Sequence, residues 1–300
     1  MSKRDIKLGY STFAMPKIDA FKAISMVSSI GYDAIEFCVM DRPITPTGDT
    51  WKTNLNALSN SWKDVRNLTQ SEGLIAPVLF DLFSVCAEPS NRKEAMDRVK
   101  RTCELAGNLN YNREHGLIVT QLGTPEPELS WGLSTLLIKQ KARVVDGLNE
   151  VGDIASQFNV VIGIEAHINQ LIDTPEKVVW AITEANHDNI KVDFDISHFV
   201  CQGIDLQHSV DLCGPHTALI HVKDGYMLDD PTIEPVNNNN VVFQLPGEGN
   251  LNLTEYLDSL TEANLTHLPV FAEVSMQLSR TANYDELKTA TDCYNYLSKA

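Results

Sequence analysis

Four side chains stand out for the chemistry they could do together: Glu165, Asp195, His221 and Glu273. Each closes a short apolar run in the second half of the chain: VVIGIEAH, IKVDFDISH, ALIHVKD and PVFAEVS. Runs of this length and β-branched character read as buried strands, where a carboxylate or imidazole is costly to place alone. Three carboxylates and a neutral imidazole form a mixed oxygen and nitrogen donor set. Such a set suits one divalent ion (Mn2+, Mg2+, Co2+ or Zn2+) and leaves coordination places for substrate oxygens. Without a cation, clustered carboxylates repel one another and some take up protons. A single acid at a strand end is usually a solvated edge residue. Four at successive strand ends form a pattern that solvated edges do not produce by chance.

Several neighbours could join this set. Asp193 shares a strand face with Asp195, so alternation alone does not separate the two. Asp195 is preferred because it lies nearer the strand end and is followed by Ile196, Ser197 and His198. A turn after the strand can bring His198 back toward the metal or its substrate, or leave it behind the ligands. His167 shares the face of Glu165, and Lys223 shares the face of His221. Both are candidates for binding substrate oxygens, although Lys223 could equally form a rim salt bridge.

The elements that must position these residues alternate along the chain. IKLGYST, YDAIEFCV, LIAPVLFDLF and GLIVTQLG read as four further strands, with Pro77 weakening the third. Helical spacing is read over 17–30, 53–72, 91–107, 135–158, 175–187, 206–213, 252–264 and 282–298. Gly31 and Gly73 stand where C-terminal caps belong, and Thr174-Pro175 is an N-cap and N1 pair. Alternation of strands and helices calls for a parallel sheet. In 300 residues it predicts an α/β fold, a single (β/α)8 barrel spanning 1–300 with no linker to a second domain. No GxGxxG follows the first strand, which leaves a dinucleotide-binding open sheet little support. In a barrel the C-terminal strand ends form one rim, so the four side chains converge there. The low-complexity patch Asn237–Asn240 falls in a long connection, a mobile loop or a short hairpin, closed by PGEGN (Pro246–Asn250).

Composition narrows the partners. The formal net charge of −16 argues against a phosphate-binding surface and hence against nucleic acid. No apolar stretch approaches the roughly 20 residues of a membrane span, and the basic N-terminus lacks the apolar core of a secretory signal. Six scattered cysteines without a CxxC pair read as reduced thiols of a cytoplasmic protein.

The E-A-H run at 165–167, D-I-S-H at 195–198, H-V-K-D at 221–224 and A-E-V at 272–274 resemble the xylose isomerase-like TIM-barrel superfamily. LGYSTFAM, GYDAIEF and PGEGN extend the resemblance over most of the chain. It implies a metal-dependent isomerase or epimerase of carbohydrate metabolism, acting on a sugar, sugar phosphate or polyol by α-proton abstraction beside a metal-bound carbonyl. It also implies Glu165 and Glu273 as ligands and acid/base pair, Asp195 and His221 as further ligands, and His198 on substrate oxygens. An inosose-type dehydratase on the same site, or a non-catalytic metal- and sugar-binding barrel, stay open beside that reading. Members of the family that epimerise or dehydrate commonly carry an arginine shortly after the strand-seven histidine. Here Gly225, Tyr226 and Met227 follow, and Arg280 is the arginine left to take that part. The extra histidines of the family's endonuclease branch are missing, with Asp81 and Gln121 on strands three and four. The partners implied are a small sugar-like molecule and, as in many members, further copies of the chain. Phe13, Trp51, Phe83 and Trp131 could wall a sugar site or simply pack.

Overall fold

The computed structural model describes residues 6–41, 50–83, 85–86, 91–122, 135–168, 170–228, 241–281 and 283–300. The strands are β1 (Leu8–Ser11), β2 (Ala34–Cys38), β3 (Ile75–Phe80), β4 (Gly116–Thr120), β5 (Val160–Glu165), β6 (Ile190–Asp195), β7 (Thr217–Val222) and β10 (Val270–Ala272). They close into a parallel barrel in the order β1-β10-β7-β6-β5-β4-β3-β2. With helices between them, this is a single (β/α)8 TIM barrel. An antiparallel hairpin of β8 (Asp224–Met227) and β9 (Val241–Gln244) follows β7. It flanks the asparagine patch, which itself lies outside the described residues, as do Trp131 and the loop 123–134.

The helices between strands are α1 (Ala20–Ile30), α2 (Leu55–Ser71), α3 (Arg92–Leu109), α4 (Thr135–Gln157), α5 (Pro175–Ala185), α7 (Leu206–Cys213), α8 (Leu253–Glu262) and α10 (Glu286–Leu297). Two short ones, α6 (Ser197–Val200) and α9 (Met276–Ser279), sit directly after β6 and β10. Local sequence fixes their ends. Asp19 accepts from the Lys22 amide at 3.0 Å, and Thr174 accepts from that of Lys177 at 3.3 Å with Pro175 at the first helical position. Caps of this kind are worth about 1 kcal/mol each. Gly31 ends α1 at φ 113°, a conformation that L side chains rarely adopt.

Pro77 lies inside β3. The β2–β3 register shifts just there, from Ala34 opposite Ile75 to Glu36 opposite Val78, giving β3 one extra residue. A bulge is the place where a strand tolerates a missing amide donor.

The apolar core has two main layers. The larger lies between barrel and helices and includes Ile24, Val65, Leu148, Ile162 and Val192. A second cluster, Val78, Phe80, Val119, Leu219 and Phe271 among its members, consists of alternate residues of the strands and fills the barrel interior. The Phe271 ring presses so closely on Gly9 that a Cβ there would collide with it. Strand alternation sets the polar site directly above this apolar floor.

Candidate active site

Glu165 and Asp195 are the last residues of β5 and β6, His221 is the last but one of β7, and Glu273 follows β10. Register pairs Asp195 with His221 directly, while Glu165 pairs with Asp193 and His221 with Phe271, partners two residues before Asp195 and Glu273 in the chain. All four are buried, Glu273 the most exposed at 4%. Donor atoms of Glu165, His221 and Glu273 all lie within 4.8 Å of one another, as do those of Glu165, Asp195 and His198. Glu165 is common to the two sets. Asp193 also faces the interior, its Oδ2 3.0 Å from His221 Nδ1.

Lys223 stands at the centre of these groups. Its Nζ lies 2.9 Å from Asp195 Oδ2, 3.3 Å from Glu165 Oε1 and 3.3 Å from Glu273 Oε1. It also lies 3.1 Å from His198 Nε2. α6 begins two residues after Asp195 and turns His198 back over the strand end, to 3.2 Å from Glu165 Oε1. Ser197, the first residue of α6, donates to Asp195 Oδ1 from its amide at 2.9 Å and its hydroxyl at 2.6 Å. His167 packs against His198 with ring centroids 3.9 Å apart and the planes tilted by 42°, its Nδ1 2.6 Å from the Ile168 carbonyl. Phe243 of β9 meets the His198 ring edge-on at 5.4 Å and lies 5.7 Å from the Lys223 ammonium.

Two residues in this network went unassigned in the sequence. Glu36, on β2, accepts from Ser11 Oγ at 2.5 Å and holds His221 Nε2 at 2.9 Å. Gln121, just past β4, donates to Glu165 Oε2 at 2.6 Å. Glu36 is the middle residue of β2, with Phe37, Cys38 and Val39 after it, so a rule that looks for acids at strand ends passes it by. Gln121 carries no such signal either.

Burial opposes every charge here, and the neighbours decide the outcome. For Asp195, Lys223 and His198 outweigh burial and hold the carboxyl at about 2. Glu165 is likewise held well below the usual range, chiefly by Lys223 against burial. Glu273 goes the other way: burial pushes it up to about 8 despite Lys223. Burial also lifts Asp193 to about 7 against the pull of His221. His167 falls to about 3 through burial and the nearby His198. His221 is raised because Asp193 and Glu36 outweigh its burial, and Lys223 because Asp195, Glu165 and Glu273 outweigh its own.

The donor set fits a divalent cation. Both oxygens of Asp193, Asp195 Oδ2, Glu273 Oε2 and His221 Nδ1 are buried and make no hydrogen bond. Lys223 is near Asp195 Oδ2 but outside hydrogen-bonding alignment. Buried acceptors normally find partners; among these, His221 Nδ1 lies 3.0 Å from Asp193 Oδ2 and 3.2 Å from Glu273 Oε2, while Asp195 Oδ2 belongs to the group around His198. Glu36 at Nε2 leaves Nδ1 as the ring nitrogen turned to the carboxylates, the arrangement that orients a histidine ligand.

Phe13 stacks on Trp51 at 5.6 Å and meets Phe80 edge-on at 5.4 Å, while Trp51 is buried and donates to the Phe13 carbonyl. Trp51 therefore packs, and the half-buried Phe13 is the ring of that pair left partly open. Arg280 ends α9 in an exposed position. Among the described residues, no helix is long and apolar enough to cross a membrane.

A family model described as xylose isomerase-like TIM barrel matches residues 24–290. Two curated proteins called inosose isomerase, from Bacillus licheniformis and Bacillus velezensis, are 27% and 26% identical over 146 and 158 residues. Those alignments cover 48% of this chain in both cases, and 49% and 51% of the relatives, so the chain spans about half the length of the curated relatives it matches. Solved structures share the whole architecture. The IolI protein with a bound zinc atom superposes at a TM-score of 0.73 and 20% identity, covering 98% of this chain and 99% of that one. The probable 3-DHS dehydratase AsbF of Bacillus anthracis gives 0.74 and 15%, with 98% and 99% covered. A D-psicose 3-epimerase in the presence of D-fructose gives 0.73 and 17%, with 98% of each chain covered. At such low identity the likeness is one of fold.

Proposed function

Because the chain belongs to the xylose isomerase-like TIM-barrel family, we propose that it is a metal-dependent isomerase or epimerase of a small ketose, keto-polyol or related sugar. The observation that carries this reading is the convergence of Glu165, His221 and Glu273 donor atoms within 4.8 Å of one another in a buried site. Glu165, Asp195, His221 and Glu273 are the proposed ligands of one Mn2+, Mg2+, Co2+ or Zn2+, with Asp193 behind them. The inosose isomerase relatives and the epimerase and dehydratase folds support a substrate with a carbonyl beside hydroxyl-bearing carbons.

Polarisation of the substrate carbonyl, which acidifies the neighbouring C–H, is the chemistry a divalent ion supplies when bound. The chain's own residues do the rest. Glu165 and Glu273 reach the site from different strands, so one carboxylate can take the proton from carbon and the other can return one. In the metal-free protein their environments differ, with Glu165 held ionised chiefly by Lys223 and Glu273 biased by burial toward its protonated form. His198, Lys223 and His167 line one side and hold substrate oxygens. Glu36 and Gln121 fix the orientation of His221 and Glu165. The apolar barrel floor excludes water from beneath.

The test is proton NMR in D2O with Mn2+ and a panel of ketoses and inososes. The expected result is deuterium at the carbon beside the carbonyl together with an isomer or epimer of unchanged carbon skeleton. A product lighter by one water identifies dehydration instead. No exchange with any of the panel, from protein shown to hold metal, overturns the enzymatic reading in favour of a binding barrel.

A further inference from the structure

Lys223 has an unusual place for a residue that could bind substrate. Its ammonium, 3% exposed as a residue, touches three carboxylates, all of them proposed metal ligands. With His198 Nε2, four polar atoms lie 2.9–3.3 Å from an ammonium that has three protons to give. That is the contact set of a cation held in a cage, not of a rim salt bridge with one partner. A divalent ion draws carboxylate oxygens to about 2.0–2.6 Å, well inside ammonium hydrogen-bond lengths. The other Glu273 oxygen, Oε2, makes no hydrogen bond and faces His221 Nδ1 at 3.2 Å, so an ion held there would sit beside the ammonium on the same carboxylate, where repulsion in a buried site far exceeds its value in water.

We propose that Lys223 and the divalent ion are alternative occupants of one carboxylate cage, so that loading the metal expels the Lys223 ammonium toward the mouth of the barrel. The inference rests on the metal reading above. The route out is marked by Phe243, whose ring lies 5.7 Å from Nζ and offers a face that receives a cation. His198, beneath the same ring, is the neighbour the ammonium keeps on that side. In the stripped protein Lys223 neutralises the carboxylates. In the loaded protein it becomes available to a substrate oxygen. The exchange thus ties readiness for substrate to possession of the metal, without any movement of the backbone. It also sets the metal affinity, because every ion bound must first displace an internal competitor.

Two measurements on the full chain decide the matter. The first is equilibrium dialysis of Mn2+ against chelator-treated protein and the Lys223→Met variant, with circular dichroism to confirm folding. Loss of the competitor is expected to tighten Mn2+ binding roughly tenfold or more. The second is acetylation of the unsubstituted protein by acetic anhydride, read at Lys223 by peptide mass spectrometry. Labelling is expected to be slow in the stripped protein and several-fold faster once Mn2+ is added. If the unsubstituted protein binds none of Mn2+, Mg2+, Co2+ or Zn2+, the metal reading itself fails and takes the exchange with it. If it binds metal but Lys223→Met binds no more tightly, the exchange is overturned and the metal site stands. Tighter binding with no gain in labelling means simple charge repulsion with Lys223 in place, and overturns the exchange as well. Should Lys223→Met fail to fold, the labelling of the unsubstituted chain decides alone.

Discussion

Glu36 Oε2 lies 2.9 Å from Nε2 of His221, across the barrel and 185 residues away in sequence. Ser11 anchors the other oxygen of that carboxylate. The chain Ser11–Glu36–His221 joins β1, β2 and β7 and leaves His221 Nδ1 turned toward Glu273 and Asp193. Losing a partner of this kind commonly lowers metal affinity by about 10–100-fold. Glu36→Ala is expected to weaken Mn2+ binding within that range, and Ser11→Ala to do so less. Equilibrium dialysis measures both, and unaltered affinity in Glu36→Ala would remove the positioning role.

Glu165→Gln and Glu273→Gln are expected to lower isotope exchange at the substrate carbon by roughly 10²–10⁴ while the barrel stays folded. NMR in D2O gives the rate and circular dichroism the fold. Metal content is measured alongside, because each glutamate is also a proposed ligand. Full exchange activity in either variant, with metal bound, would be incompatible with the proton-transfer pair.

Stability of the chelator-treated protein should fall as pH rises from about 5 to about 8. Burial raises Glu273 to about 8 and Asp193 to about 7, so in that window the folded chain keeps protons that the unfolded chain has lost. His221, raised by Asp193 and Glu36, acts with the same sign above its ordinary range. Asp195 acts oppositely: held at about 2, it contributes stability above roughly pH 4 that is lost as pH falls toward 2. Glu273→Gln is expected to flatten the slope between pH 5 and 8, on the order of 2 kcal/mol across the window. Urea denaturation at a series of pH values reads this directly, and an unchanged slope in the variant counts against the raised Glu273.

Asp224 holds the PGEGN turn. Its carboxylate accepts from the amides of Gly225 at 2.7 Å, Gly247 at 2.9 Å and Leu251 at 3.1 Å. Gly247 sits at φ 90°, and a Cβ on Gly249 would collide with that same carboxylate. Asp224→Ala leaves three amide donors without their acceptor, and a loss of about 2–4 kcal/mol is expected by urea denaturation. Asp224→Asn keeps an acceptor oxygen and should lose less.

Much of the architecture was legible because periodicity and helix stops are local signals. The eight strands read from 8–11 through 270–272 close the barrel, and α7 runs over 206–213 as its spacing predicts. The acid or imidazole at each of four strand ends marked one rim, since strand ends in a parallel barrel share a side. What a sequence leaves open is contact across the barrel. Nothing local says that Glu36 meets His221, or that Gln121 meets Glu165. Alternation put Lys223 on the face of His221 but said nothing of how far its four-carbon stem reaches. Alternation put both Asp193 and Asp195 inward, and the preference for Asp195 rests on its nearness to the strand end; only the side-chain contacts show Asp193 beside His221 and Asp195 beside Lys223. The β8–β9 hairpin lies in the connection read as a loop or short hairpin, whereas α6 and α9 gave no signal because a single turn of four residues repeats no helical spacing.

Phe271 against Gly9 closes the barrel below the site, and Val78, Phe80, Val119 and Leu219 complete that floor. Among the described residues, a vessel sealed at its base leaves the rim as the way in. If the proposed reaction takes place above that floor, substrate and product share one path: arrival and departure are consecutive, and a spent molecule that lingers bars its successor.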